Sequence, residues 1–184
     1  MRLEFPEFSH QNETLVAIVL GALLATISGV VANQLEVFFR RRERERSAAL
    51  LFGEVLSTLR VILEGAESTR HIGEPYGPVT RRMLHAARRE IDIYDRNREA
   101  LVDLRDAGLR VEMHALMVRI AMSLDGVIDS LATSGGGDDE ARDGAMAFIN
   151  ETLRGLPNLV TRLGGIARYN FNHYDRVTRP GVRA

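Results

Sequence analysis

The chain has 184 residues, 45% of them hydrophobic and 27% charged, so it is neither a disordered nor a fibrous sequence. All 24 basic residues are arginine, against 25 acids, and a formal net charge of −1 argues against a strongly basic nucleic-acid binder. There is no cysteine, which excludes disulfides, thiolate metal sites and a cysteine nucleophile.

The first element in chain order is the most informative. Thr14 to Leu35 reads TLVAIVLGALLATISGVVANQL and carries no charge. As a helix it would extend roughly 33 Å, close to the hydrocarbon thickness of a bilayer. The sequence therefore predicts a short extracytoplasmic tail over 1–13 and a transmembrane helix over 14–39. Val30-Val31-Ala32 loosely satisfies the small-residue rule for leader cleavage. Against a cleaved leader stand the acidic N-terminal flank, with Glu4, Glu7 and Glu13 against Arg2, and the stop-transfer block Arg40-Arg41-Arg42. Arg40, Arg41 and Arg42, followed by Arg44 and Arg46, place the N-terminus outside and the body in the cytoplasm by the positive-inside rule. Phe5 and Phe8 on one side, and Phe38 and Phe39 on the other, are candidate interfacial aromatics. The lysine-free composition resembles that of proteins from GC-rich bacterial genomes. The expected location is thus a bacterial inner membrane, with a single pass.

The span carries a patterned face. Ala17, Gly21, Ala25 and Gly29 recur every fourth residue, and Asn33 continues the row. Small residues at this spacing let two helix backbones approach closely in lipid, and Asn33 could hydrogen-bond across such a contact. Gly21, Ala25, Gly29 and Asn33 are therefore the candidate residues for packing on another membrane helix.

Residues 40–167 predict a cytoplasmic helical bundle. The membrane helix continues through RRRERERS, supported by Arg/Glu pairs at i, i+3 and i, i+4. An apolar stripe of Leu51, Val55, Leu59 and Ile62 follows, ending near Gly65. Glu67 to Thr80 reads as a loop, with Gly73, Pro75, Gly77 and Pro78. A second helix is expected over Thr80 to Asp106, capped by Thr80 and broken near Ile91–Tyr94, with Asp95 capping a shorter piece. A third carries Leu109, Met113, Leu116, Ile120, Leu124, Val127 and Leu131 at helical spacing. Ser134–Gly137 reads as a flexible link. A fourth helix starts at Asp138 or Asp139 and runs to Ala167, kinked at Pro157. The tail, 168–184, is basic and aromatic and reads as a solvated terminus with capacity to touch lipid or a partner. The fold class is all-α: one transmembrane helix, then an antiparallel bundle of three to four helices.

Ile91–Leu104, and within it Tyr94-Asp95-Arg96-Asn97, precedes a long apolar helix and follows a single span with its arginine block. In this the chain resembles a group of small bacterial single-pass, membrane-anchored helical proteins of unassigned function. The resemblance covers residues 14–134. It implies a fold in which Tyr94 and Asn97 serve turn and packing, and it implies no catalytic role.

No chemical motif emerges. Of five histidines, none sits in an HExxH or HxH pattern. Gly135-Gly136-Gly137 follows no strand and precedes no Gly-Lys-Ser/Thr, so it is not a phosphate loop. The only arrangement with catalytic or sensing potential is His85, Asp92 and His114, if helices two and three bring them together. The expectation is a non-enzymatic accessory or scaffold protein without catalytic, cofactor or metal residues. Its expected partners are membrane lipid, another membrane helix and a protein, with no nucleic acid. The competing expectation is a self-assembling effector that perturbs the membrane.

Overall fold

The computed structural model describes residues 8–72, 74–132 and 139–171, and it is all-helical over them. The Ser134–Gly137 link and residues 1–7 and 172–184 lie outside the described residues, as do the side chains of Phe8 and His10. Helix α1 spans Phe8–Arg70, α2 Pro78–Arg96, α3 Ala107–Ala132, α4 Asp139–Leu153 and α5 Leu156–Ala167, with a 3-10 helix over Arg98–Asp103. The chain divides into two compact units, Met1–Glu43 and Arg44–Ala184.

The first unit holds the apolar part of α1. Ile18, Leu20, Leu24, Ile27 and Val30 are all more than half exposed. The 18-residue apolar window that makes α1 long and apolar enough to cross a membrane is 0% buried. An apolar helix with no apolar neighbour is the reverse of a soluble core helix, which hides its apolar residues against other elements.

The second unit is built around one core. In α1 the buried hydrophobic residues are Ala48, Ala49, Phe52, Val55, Leu56, Leu59, Leu63 and Ala66. This is a 3–4 spacing whose centre is Phe52–Leu56–Leu63. Leu51 and Ile62, expected in the stripe, lie on its margin and are only partly buried. Gly65 does not end the helix, which continues to Arg70. The loop is correspondingly shorter than Glu67–Thr80.

Helix α2 starts two residues earlier than expected. Gly77 is its N-cap and Pro78 occupies the first turn, where a missing N–H costs nothing. Thr80 is not a cap; it is buried, with Oγ1 3.0 Å from Thr69 Oγ1. The Thr69 hydroxyl donates to the Ala66 carbonyl, so Thr80 is the donor between the two. Helix α2 runs unbroken through Ile91–Tyr94 and stops at Asn97, whose Nδ2 donates to the Ile93 carbonyl at 2.8 Å. The following piece is a 3-10 helix, not an α-helix, and Asp95 does not cap it.

Helix α3 buries Leu109, Met113, Leu116, Ile120, Leu124 and Val127 as expected, and Met117 with them. It packs against α2 and α4. The last helix is divided rather than kinked. Arg154 and Gly155 are turn residues between α4 and α5, and Pro157 lies in the first turn of α5. Proline there removes an N–H that the helix start leaves free anyway. The tail also departs from the solvated reading at its start. Arg168 adopts a left-handed conformation (φ 54°), and Tyr169 N–H donates back to the Gly164 carbonyl at 3.0 Å. This turn sends Phe171 into the core, 4% exposed.

Candidate functional site

The candidate packing residues lie in the first unit, along one helix. A Cβ placed on Gly21 or Gly29 would meet nothing within 4 Å. Ala25 and Asn33 are exposed as well. The row is therefore an open, shallow strip between larger exposed side chains such as Leu24 and Val30. The Thr26 hydroxyl is satisfied within the helix, donating to the Ala22 carbonyl at 2.8 Å. That bond lets a polar residue sit in an apolar helix without an unpaired group.

The basic residues after the span are not equivalent. Arg40 pairs with Glu36, one turn back. Arg41 and Arg42 are exposed and make no ion pair among the described residues. The i, i+4 partner offered to Arg41 by the sequence is Glu45, which instead accepts from Arg105 through its backbone N–H (3.2 Å) and its Nε (3.3 Å).

In the second unit, polar assemblies help to fix the helices, among them those around Arg70, Asp106 and Tyr94. Arg70 donates to Glu67 at 2.9 Å and to Asp143 at 2.8 Å, and its guanidinium lies 5.3 Å from the Tyr76 ring centre. The Tyr76 hydroxyl donates to the same Asp143 oxygen at 2.8 Å. Burial and this bond push the Tyr76 phenol well above its ordinary value, so it remains a donor. At the start of α3, Leu109 N–H donates to Asp106 Oδ1 at 3.0 Å, and Arg162 of α5 donates to Asp106 Oδ2 at 2.8 Å. These two bonds, the backbone one first, hold the Asp106 carboxyl below the usual carboxylate range. The third assembly is Tyr94, whose ring meets Phe52 edge-on at 5.8 Å and whose hydroxyl lies 3.0 Å from His114 Nδ1. Tyr94 is thus a packing residue and Asn97 a turn residue.

His85, Asp92 and His114 have separate surroundings. His85 is exposed, Asp92 shares Arg88 with Asp125, and His114 is engaged by Tyr94. Among the described residues no three His, Asp or Glu side chains are grouped to hold a metal ion. A groove of about 930 Å³ lies between α1 and α2, lined among others by Ile62, Gly65 and Met83. Its rim acids are already committed, Glu64 to Arg60 and Glu67 to Arg70 and His71.

Two features escaped the sequence reading. One is the slot for Phe171. A Cβ on Gly53 would lie 2.2 Å from the Phe171 ring, and one on Gly164 would lie 2.7 Å from the Tyr169 carbonyl oxygen. A glycine inside an apolar helical stripe is a visible sign of close approach, but only the fold tells what approaches. The other is Asp106, expected as the end of the second helix, which acts instead as the N-cap of α3. No protein-family model matches the chain, and comparison with curated proteins and with solved structures gives no match either.

Proposed function

We propose that this is a non-catalytic accessory or scaffold protein, anchored in a membrane by residues 14–39, whose helical bundle binds a protein partner at the inner face. The observation that carries the reading is the contrast along α1. Its apolar part is exposed from Ile18 to Phe39, whereas the part beyond Arg44 buries Phe52, Leu56, Leu59 and Leu63 completely or nearly so. Exposing a run of large apolar side chains to water is costly, at about 25 cal/mol for each Å² left unburied, and lipid removes that cost. The arginine block after the run favours the cytoplasmic side for the body. The paired acids and separated histidines of the second unit support a binding role over a chemical one.

The test is a tagged pull-down of the full chain from native membranes in mild detergent, read by mass spectrometry. A stoichiometric foreign protein is the expected outcome. Recovery of the chain alone as a monomer would overturn the scaffold reading. The open strip at Gly21 and Gly29 favours a second reading, a self-assembling effector that perturbs the membrane. Recovery as a discrete homo-oligomer that Gly21→Leu with Gly29→Leu disperses would establish that one instead.

A further inference from the structure

We propose that Arg41 and Arg42, with Phe38 and Phe39 one turn before them, form an anchor that selects anionic phospholipid. The proposal rests on the membrane reading above and adds the class of lipid and the residues that choose it.

Five arginines follow the apolar run in sequence, and a simple count would treat Arg40, Arg41 and Arg42 alike. The structure separates them. Arg40 is neutralised by Glu36. Arg41 and Arg42 keep their charge unpaired among the described residues, because Glu45 is held by Arg105. Residues three and four apart share a helix face, so Phe38 underlies both Arg41 and Arg42, and Phe39 underlies Arg42. Phe38 and Phe39 are 47% and 61% exposed, with ring centres 6.0 Å apart. Phe38 with Arg41 and Arg42, and Phe39 with Arg42, thus pair exposed rings with guanidiniums that make no ion pair among the described residues. Arg40 lies on a different face from Phe38 and Arg42.

That order matches the depth profile of a leaflet. The rings sit at the level of the upper acyl chains. The arginine stems extend outward along the helix and place each guanidinium among the phosphates. A guanidinium binds a phosphate through paired N–H donors, which favours a lipid whose phosphate charge has no ammonium beside it. Phosphatidylcholine carries that internal cation and phosphatidylglycerol does not.

The full chain is inserted into vesicles of phosphatidylcholine and into vesicles of equal parts phosphatidylcholine and phosphatidylglycerol. Flotation after a carbonate wash reads insertion. Native mass spectrometry of protein released from the mixed vesicles in mild detergent reads which lipid stays bound. Insertion into both vesicles, with phosphatidylglycerol enriched on the protein, is expected. Arg41→Gln and Arg42→Gln should each reduce the enrichment by about fivefold while insertion persists. Arg40→Gln should leave it unchanged. Inserted protein without enrichment, or equal losses for all three variants, would overturn the anchor alone. Displacement of the bound lipid by excess inorganic phosphate would overturn the assignment to lipid. Failure to insert into either vesicle would overturn the membrane reading beneath it.

Discussion

A Cβ on Gly53 would collide with the Phe171 ring and one on Gly164 with the Tyr169 carbonyl, so two glycines in different helices admit the ring and the turn that carries it. The ring reaches them because Arg168 turns the chain in the left-handed region. Arg46 secures the same corner, donating from Nε to the Ala167 carbonyl at 2.9 Å. Phe171→Ala is therefore expected to lower stability by about 3 kcal/mol, as for other buried phenylalanines. Gly53→Ala should do comparable damage by expelling the ring, and adding it to Phe171→Ala should cost little more, because the obstacle is already gone. Thermal unfolding of the full chain in detergent measures all three. Additive losses would mean that Gly53 and Phe171 act separately.

At the scale of elements, helix starts are where local sequence and tertiary contact meet. Proline in the first turn fits α2 and α5, and both begin on glycine. Helix α3 begins differently, with a carboxylate that serves its own backbone and an arginine from α5 together. Because the Asp106 carboxyl is held below its unfolded value, its contribution is complete above the ordinary carboxylate pKa of about 3.9. It is lost as pH falls through the lower folded value. Asp106→Asn keeps an N-cap acceptor but removes the charge that Arg162 uses. The variant should melt at a lower temperature at neutral pH and lose less on acidification than the parent. Parallel acid limbs for the two proteins would show that the ion pair does not contribute.

For the whole molecule, the division between Glu43 and Arg44 separates two ways of treating apolar surface. The first unit leaves it exposed; the second buries Tyr94, Phe52, Leu84, Ile91, Met113 and Ile120 almost completely. All core residues of α1 lie at or beyond Ala48. Residues 44–184, expressed alone, should therefore remain in solution without detergent and unfold cooperatively. Circular dichroism and the sharpness of the melting transition check this. A helical but non-cooperative product would show that the first 43 residues also support the core.

Helical periodicity by itself determined the apolar run, its arginine border and the core face of α3, because those signals lie within one continuous stretch of chain. Leu109 to Val127 needed only the 3.6-residue repeat to be read correctly. Glycine and proline were legible as interruptions but ambiguous in effect. Gly65 sits inside α1, where Met83 lies 3.4 Å from an added Cβ, while Gly155 and Pro157 open a new helix. The partners of charges and of close approaches were decided only by tertiary structure. Glu45 turns to Arg105 instead of Arg41, Asp106 to Arg162, and Phe171 to Gly53 and Gly164. Apart from the turn of Phe171 back onto Gly164, each of those choices joins positions more than 50 residues apart, and no local pattern encodes which distant surface the folded chain brings near.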